Sequence, residues 1–241
     1  MGVDFDRYDL LTFDCYGTLI DWETGLLAAL REALPGVTGT DDELLEEYAR
    51  HEAEAESGAY RSYRDVLAAG LRGVAAHEGV EVADDVVAVF AESVRDWPAF
   101  PDSGEALARL GKRYRLAVIT NCDADLFAAS QERLGVVFDR VVTAEAAQAY
   151  KPSERPFELA FEMIDMPRER WLHVAQSLYH DHVTAKRLGL ATVWIDRRHD
   201  RAGAGATPVA SAEPDAVYPS MAAFVDAAVG SANAQTLDRR T

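Results

Sequence analysis

The chain has 241 residues, of which 49% are hydrophobic, and carries a formal net charge of −17 at pH 7. This length fits one domain, or a core with an inserted subdomain, and supplies enough apolar residues for a sizeable core. The negative charge argues against nucleic acid or an anionic membrane as a partner, and no apolar run approaches the length of a membrane span. There is no secretory signal pattern and no disulfide framework, so we expect a cytoplasmic protein.

Strand-like and helix-like segments alternate along most of the chain, which predicts β-α-β units and a parallel sheet. The first predicted strand, Tyr8 to Phe13, runs directly into Asp14. Further strands are predicted at 115–120, 141–142, 171–175 and 191–195, with helices between them that include 103–113 and 123–134. Residues 201–214 are rich in Gly, Ala and Pro, which is typical of a loop.

One stretch interrupts this alternation, because only helical patterns occur between residues 24 and 97. The predicted helices are 24–34, 43–56, 63–77 and 84–97, and the second begins at a capping box. The segment 97–101 contains two prolines and marks the return to the alternating pattern. We therefore predict an α/β core formed by residues 1–21 and 99–241, with an α-helical cap of residues 22–98 inserted after the first strand.

Polar residues follow the predicted strands where each of them ends. They are Asp14 after the first strand, Thr120 and Asn121 at the end of the second, Lys151 before a helix, and Ser177 and Asp181 after 171–175. The carboxyl ends of parallel strands meet at one edge of a sheet, so this edge is the expected ligand site. There Asp14 is suited to act as a nucleophile, Lys151 to hold its charge and Asp181 to activate a water. The alternatives are helix caps and surface charges.

Other candidate sites are weaker. His173, His180 and His182 do not share one helical face, which argues against a zinc site. Cys15 and Cys122 lie beside the candidate residues, but small half-buried side chains explain them better than a catalytic thiol.

The four segments around Asp14, Thr120, Lys151 and Asp181, in this order, resemble the haloacid dehalogenase superfamily. The resemblance covers nearly the whole chain and implies a Rossmann-like core with a small α-helical cap. It also implies that Asp14 is the nucleophile, and that Thr120, Lys151 and Asp181 carry the second, third and fourth motifs.

Two positions depart from the phosphatases of that superfamily. Tyr16 stands where they have a second aspartate, and Gln176 stands where they have a metal-binding acid. Phosphoryl transfer needs its charges neutralised, usually by a metal, so these changes argue against Mg²⁺. The pattern instead resembles the L-2-haloacid dehalogenase branch, which implies no metal, no cofactor and a small carboxylic acid as substrate.

The same resemblance implies a role for each further residue. Tyr16 and Thr120 are expected to bind the substrate carboxylate, and Asn121 to contribute to the leaving-group pocket. Ser177 stands where the dehalogenases carry an asparagine, and Arg50 is the candidate for a cap arginine near the leaving halide. Dimers are common among such relatives, so a homodimer is a further expectation.

A second resemblance competes with the first. The segments 14–23, 97–102 and 177–182, with 197–199 and 205–207, resemble the L-azetidine-2-carboxylate hydrolases, whose leaving group is a ring ammonium. A cation such as Arg50 in the cap favours a leaving anion, whereas carboxylates or aromatics such as Trp22, Tyr48 and Trp97 favour a leaving ammonium. A phosphatase and a catalytically inactive binding protein are the remaining alternatives.

Overall fold

The computed structural model describes residues 3–200 and 210–230. The strands are β1 (Leu10–Phe13), β2 (Arg115–Thr120), β3 (Arg140–Thr143), β4 (Trp171–Ala175), β5 (Ala191–Ile195) and β6 (Ala216–Tyr218). The helices are α1 (Trp22–Ala33), α2 (Asp41–Glu56), α3 (Tyr63–His77), α4 (Asp84–Glu92), α5 (Ser103–Leu110), α6 (Ala124–Leu134), α7 (Ala144–Ala147), α8 (Arg155–Met163), α9 (Val183–Arg187) and α10 (Met221–Val229).

The six strands form one parallel sheet in the order β3-β2-β1-β4-β5-β6. β1 lies near the centre, and Phe13 is in register with Val118 of β2 and Val174 of β4. The connection leaves β1 towards β2 on one side, and the later strands fill the other side. Such a switch point opens a crevice at the carboxyl edge, beside the last residue of β1.

The predicted α/β class with a parallel sheet is confirmed, and the sheet has one strand more than the sequence predicted. β6 has only three residues and follows the predicted loop, so it has no hydrophobic pattern that stands out. Of that loop, residues 201–209 lie outside the described ranges, and this includes the segment 205–207.

Successive side chains of a strand point to opposite faces of the sheet, and both faces of this sheet are covered by apolar clusters. Leu10 of β1 packs into one apolar cluster with Phe157 and Trp171, whereas Leu11 and Phe13 pack into the larger cluster on the other face. The continuous burial of β1 and β4, and their mostly apolar sequences, follow from this packing on both faces.

The four helices α1–α4 lie between β1 and β2 in the chain, as the sequence predicted, and we call them the helical insertion. The fourth helix ends earlier than predicted, at Glu92, and a 3₁₀ turn continues to Asp96. α2 and α3 pack closely because Gly70 has no side chain: a Cβ there would lie 2.5 Å from the ring of Tyr48. This packing fixes which face of α2 is turned inwards.

The core holds the start of α3 through one buried carboxylate. Asp123 accepts hydrogen bonds from the backbone N–H of Tyr63 at 2.8 Å and of Arg64 at 3.2 Å. Tyr150 donates from its hydroxyl to the carbonyl of Arg61 at 2.9 Å. The helical insertion is therefore tied to the same edge of the sheet that carries the polar residues. None of the described helices is long and apolar enough to span a membrane.

Candidate active site

A cavity opens at the carboxyl edge of the sheet, between the strand ends and the helical insertion. Its lining comprises Asp14, Tyr16, Trp22, Glu52, Glu56, Tyr63, Asn121, Lys151, Gln176, Ser177, His180 and Asp181. Centres of water molecules can occupy about 50 Å³ of it, which suits a ligand of a few non-hydrogen atoms. The predicted residues Asp14, Tyr16, Asn121, Lys151, Ser177 and Asp181 thus meet at one place.

Lys151 forms the centre of the site. Its Nζ donates to Oδ1 of Asp14 at 2.8 Å, to Oδ1 of Asp181 at 2.7 Å and to the carbonyl of Ile119 at 2.9 Å. The lysine is only 1% exposed, so its three donors are all satisfied within the protein. A buried ammonium shared between two carboxylates holds both of them in fixed positions.

The charges of these three groups depend on one another. Burial raises the pKa of Asp14, and the Lys151 ammonium and the Thr18 hydroxyl oppose that rise. Burial also disfavours the charge of Lys151, but the carboxylates of Asp14 and Asp181 raise its pKa above the ordinary value. For Asp181 the effect of burial is outweighed by Lys151 and His173, which together lower the pKa of this carboxyl. Lys151 and Asp181 are therefore charged at neutral pH.

Thr18 orients the second oxygen of Asp14. Its hydroxyl donates to Oδ2 at 2.6 Å and accepts a hydrogen bond from the backbone N–H of Gln176 at 2.8 Å. The turn before Thr18 requires a glycine at position 17, because its φ is +89°, a conformation that other residues rarely adopt. A larger residue there would also place its Cβ only 3.0 Å from the ring nitrogen of Trp22. Both oxygens of Asp14 thus have a donor from the protein.

Asp181 has one held oxygen and one free oxygen. Oδ1 lies 2.7 Å from Lys151 and 3.0 Å from Nε2 of His173, whose Nδ1 lies 2.9 Å from the hydroxyl of Thr12. An ionised carboxylate only accepts, so Nε2 of His173 carries a proton and donates to Oδ1. Oδ2 of Asp181 is buried without a hydrogen-bond partner within the described chain, and it is suited to accept from a ligand or a water.

Asn121 acts on the backbone of Lys151. Its Nδ2 donates to the carbonyl of Lys151 at 3.0 Å, and its Oδ1 accepts from the N–H of Lys151 at 2.8 Å. Asn121 also lines the cavity, where the sequence predicted it. The two hydrogen bonds give it a positioning role that sequence patterns did not indicate.

The hydroxyls of Tyr16 and Ser177 already have partners in the protein. The hydroxyl of Tyr16 lies 3.0 Å from Oγ of Ser130 and accepts from Sγ of Cys122 at 3.3 Å. Oγ of Ser177 accepts from the backbone N–H of His180 at 2.9 Å. Both residues form part of the cavity wall, and each hydroxyl has a hydrogen-bond partner in the protein.

Two predicted site residues do not reach the cavity. Thr120 is buried at the end of β2, and its hydroxyl has no hydrogen-bond partner among the described residues. Arg50 is 57% exposed and pairs with Glu47. A helix turns about 100° per residue, so Arg50 lies roughly 200° around α2 from Glu52, which does line the cavity. The expected arginine at the leaving group is therefore absent from the described lining.

The sequence analysis did not identify Glu52 and Glu56, which enter the cavity from α2. The hydroxyl of Tyr63 donates to Oε1 of Glu52 at 3.0 Å, and the hydroxyl of Tyr48 lies at 3.5 Å from the same atom. Burial raises the pKa of Glu52 to about 7, and burial and the charge of Glu52 raise that of Glu56 well above its usual range. Tyr48, Glu52 and Glu56 recur every four residues along α2, which places them on one face of the helix but does not show that this face meets the cavity.

Lys151 is the only cation at neutral pH among the described residues that line the cavity. Burial lowers the pKa of His180 to about 4, so its imidazole is neutral. No group of three His, Cys, Asp or Glu within residues 3–200 and 210–230 is arranged to hold a metal ion. The cavity therefore has an excess of carboxyl groups over cations.

Comparison with known proteins identifies relatives of most of the chain. Residues 8–189 match the haloacid dehalogenase-like hydrolase family. An (S)-2-haloacid dehalogenase of Pseudomonas putida is 25% identical over 195 residues, which cover 78% of this chain and 85% of the relative. The 5-amino-6-(5-phospho-D-ribitylamino)uracil phosphatase YigB of Escherichia coli strain K12 is 29% identical over 204 residues, with coverages of 78% and 84%.

The fold is shared with solved dehalogenase structures. The L-2-haloacid dehalogenase from Xanthobacter autotrophicus superposes with a TM-score of 0.77 at 20% identity, covering 93% of this chain and 100% of that one. Resemblance to the azetidine-opening enzymes is not among these findings.

Proposed function

The chain belongs to the haloacid dehalogenase-like hydrolases, and we propose that it displaces a leaving group from C2 of a short carboxylic acid through an ester of Asp14. The observation that carries this proposal is the buried arrangement of Asp14, Lys151 and Asp181 at the carboxyl edge of the sheet. It joins a candidate nucleophile, a fixed positive charge and a candidate base within one small cavity.

In the first step, an oxygen of Asp14 bonds to C2 while the bond from C2 to the leaving group breaks. The electron pair of that bond departs with the leaving group. Displacement at a saturated carbon requires an aligned carboxylate and a good leaving group. Lys151 and Thr18 fix Asp14 from two sides, which supplies the alignment without a metal ion.

In the second step, water attacks the side-chain carbonyl carbon of the Asp14 ester. The bond from that carbon to the ester oxygen breaks, Asp14 is regenerated, and a 2-hydroxy acid with inverted configuration leaves. The unpartnered Oδ2 of Asp181 supports its assignment as the acceptor for the water proton. Its other oxygen stays bound to Lys151 and His173, so the group keeps its orientation.

The first candidate substrate is a 2-haloacid, for which the leaving group is a halide. The named relatives support it, because several of them are (S)-2-haloacid dehalogenases. Tyr16, Asn121 and Ser177 are the remaining predicted residues at the cavity, and we propose that they shape the space for this small acid.

The second candidate is opening of the ring of L-azetidine-2-carboxylate, in which an amine leaves C2. One observation favours it: Glu52 and Glu56 enter the cavity, and Arg50 does not. Carboxylates attract an ammonium and repel a departing halide. The relatives and the cavity thus support different leaving groups within the same displacement chemistry.

A direct test is to incubate the purified protein with L-2-chloropropionate and L-azetidine-2-carboxylate in chelator, and to identify products by mass spectrometry. Lactate establishes dehalogenation, and a 2-hydroxy-4-amino acid establishes ring opening. We expect Asp14→Asn to reduce turnover by more than about a thousandfold. Asp226→Asn, at an exposed ion pair on α10, is the control and should leave turnover unchanged.

Two outcomes would contradict the proposal. Unchanged turnover in Asp14→Asn would remove the ester mechanism for either substrate. Hydrolysis of a phosphate ester that requires Mg²⁺, with neither acid converted, would favour the phosphatase alternative.

A further inference from the structure

Arg197 follows β5 and binds the backbone of the turn that carries Thr18. Its Nε and Nη2 both donate to the carbonyl oxygen of Thr18, at 3.2 Å and 2.9 Å. Thr18 is fully buried, and among the described residues no other group donates to this carbonyl. A buried carbonyl oxygen needs a donor, so the conformation of the turn at this point depends on the guanidinium.

The guanidinium of Arg197 is itself held on two further sides. Its Nη1 donates to Oδ2 of Asp102 at 3.1 Å, and its central carbon lies 4.0 Å from the centre of the Phe100 ring. The side chain is only 10% exposed. Because the guanidinium is planar and its donors have a fixed geometry, these contacts leave it one orientation relative to Thr18.

Thr18 connects this contact to the candidate nucleophile. The same residue that accepts from Arg197 at its carbonyl donates from its hydroxyl to Oδ2 of Asp14 at 2.6 Å. Arg197 is not among the described residues that line the cavity, so its contact with the reactive carboxylate passes through Thr18. A displacement of the Thr18 backbone would therefore move the donor that orients Asp14.

An ion pair with Asp102 does not explain this arrangement by itself. Desolvation offsets much of what a buried ion pair contributes to stability. Burial lowers the pKa of Arg197, and the carboxylate of Asp102 opposes that effect. Pairing with Asp102 would also not require two N–H groups to meet at one carbonyl beside the site. That contact needs an explanation in terms of Thr18.

We propose that Arg197 is a positioning residue for the displacement step, and that it fixes Thr18 so that the Thr18 hydroxyl aligns Asp14 with C2 of the substrate. The inference rests on the proposed displacement at C2 and adds a residue that touches neither the substrate nor the reacting atoms. Displacement depends steeply on alignment, since a misplacement of about 1 Å can cost about 10²-fold in rate.

The first test measures ester formation in Asp181→Asn, where the adduct accumulates. The mass of the intact protein is followed over time at saturating substrate, with whichever of the two acids is converted. We expect Arg197→Met, which removes the donors, to slow adduct formation by about tenfold or more. Arg109→Met is the matched control and should leave the rate unchanged. Its guanidinium also binds a carboxylate and a carbonyl, those of Asp226 at 2.8 Å and Gly230 at 2.6 Å.

A double-mutant cycle separates positioning through Thr18 from a general structural role. Thr18→Val removes the hydroxyl and keeps the carbonyl that Arg197 binds. In the presence of Thr18→Val, adding Arg197→Met should slow adduct formation by less than about twofold, because the group that it positions is gone. An equal slowing with and without the Thr18 hydroxyl would overturn the proposal. An unchanged rate in Arg197→Met alone would overturn it as well.

The second test follows the Asp14 carboxyl carbon by ¹³C NMR in the unreacted protein, with its signal assigned by its loss in Asp14→Asn. The Thr18 hydroxyl stabilises the charged carboxylate, so a weaker hydrogen bond raises the pKa of Asp14. We expect Arg197→Met to move the titration midpoint to higher pH, and Arg109→Met to leave it in place. An unchanged midpoint in Arg197→Met would contradict the hold on Thr18. The other titratable groups of the cavity lining are present in both variants: Glu52, Glu56, Lys151, His180 and Asp181.

Arg197→Lys separates position from charge and replaces Arg197→Met if that variant does not fold. Lysine keeps a positive charge beside Asp102, but it cannot place two N–H groups on one carbonyl in a fixed geometry. We expect slower adduct formation than in the arginine protein and a higher midpoint for Asp14. A lysine variant equal to the arginine protein in both measurements would show that the charge alone suffices, and would overturn the proposal.

Failure of the proposed function gives a different result. If Asp181→Asn forms no adduct on Asp14 with either acid, the displacement mechanism is contradicted, and the NMR midpoint still tests the hold of Arg197 on Thr18. If the adduct forms equally fast with Arg197→Met, the proposed function is retained and only the positioning role is removed.

Discussion

Asp181 has an asymmetric environment at the residue scale. One of its oxygens is held by Lys151 and His173, and the other is buried and unpartnered. Oδ1 therefore fixes the side chain in place, and Oδ2 remains able to accept a hydrogen bond from a water. A substitution that keeps the shape and removes the charge therefore tests the reactive oxygen.

We expect Asp181→Asn to slow ester hydrolysis more than ester formation, because the amide accepts the water proton poorly. The measurable consequence is a covalent adduct on Asp14, visible as a mass increase of the intact protein after mixing with substrate. Removing a general base typically slows a step by about 10²–10⁴-fold. Absence of an adduct, with turnover still reduced, would contradict the role of Asp181 in the second step.

Glu52 gives a prediction about pH and stability. The pKa of its carboxyl rises from 4.5 to about 7 on folding because of burial. The stabilising proton is fully present below pH 4.5 and is lost as the pH rises through 7. We expect the melting temperature of Glu52→Gln to exceed that of the unsubstituted protein by a few degrees at pH 8, and by less at pH 5.

Thermal unfolding followed by circular dichroism at the two pH values measures this effect. Glu54→Gln, with an exposed side chain, should show the same melting temperature as the unsubstituted protein at both pH values. A constant difference for Glu52→Gln across the pH range would mean that its carboxyl does not titrate between them.

The sequence predicted Arg50 at the site and not Glu52, whereas in the structure Glu52 lines the cavity and Arg50 is exposed. Motif spacing located Asp14, Lys151 and Asp181, because Asp14 directly follows a predicted strand and the other two lie close to the start of a helix. The inner face of α2 is set by packing against α3, where Gly70 admits the ring of Tyr48. That contact joins distant parts of the chain, so the periodicity of α2 alone does not show that Glu52 faces the cavity.

At the scale of elements, α3 is anchored to the core by its first residues. Asp123, beside β2, accepts the N–H groups of Tyr63 and Arg64, which a helix cannot satisfy by itself. Because α3 supports Glu52 through Tyr63, this anchor also affects the cavity. The N-terminus of one helix thus controls how the helical insertion lies against the sheet.

We expect Asp123→Ala to lower the free energy of unfolding by about 1–3 kcal/mol, since it leaves two backbone donors without their acceptor. Urea unfolding measures the loss. Asp226→Ala, which breaks an exposed ion pair, should change the free energy by at most about 1 kcal/mol. Equal effects of the two substitutions would show that Asp123 acts only as a surface charge.

Short elements mark the limit of sequence-based prediction. Strands β1, β2, β4 and β5 were identified because the sequence of each is mostly apolar. β6 has three residues, and the π-helical turn at Leu178–His182 has five, so neither provides enough residues for a periodicity. Both depend on neighbouring elements, as β6 pairs with β5.

For the whole molecule, the dominant electrostatic feature is the net charge of −17, from 41 acidic and 24 basic side chains. An excess of this size destabilises the compact state through mutual repulsion, which salt screens. Exposed ion pairs such as Arg72–Asp84 are also screened, but each contributes little. The repulsion should therefore dominate the response to salt.

We expect the melting temperature to rise when KCl is increased from 10 mM to 150 mM, because the Debye length falls to about 8 Å at the higher concentration. Differential scanning calorimetry measures it, and sucrose at equal osmolality is the control for effects unrelated to charge. A fall in melting temperature would mean that attractive pairs outweigh the repulsion.

Two separate segments of the chain form the two walls of the cavity. Asp14 and Lys151 belong to the sheet edge, whereas Glu52 and Glu56 stand on a helix that contributes nothing to the sheet. Mutations in α2 can therefore change which substrates are accepted while the reactive carboxylate keeps its surroundings. On the proposed displacement at C2, the leaving group that is accepted can thus change through α2 while the fold stays the same.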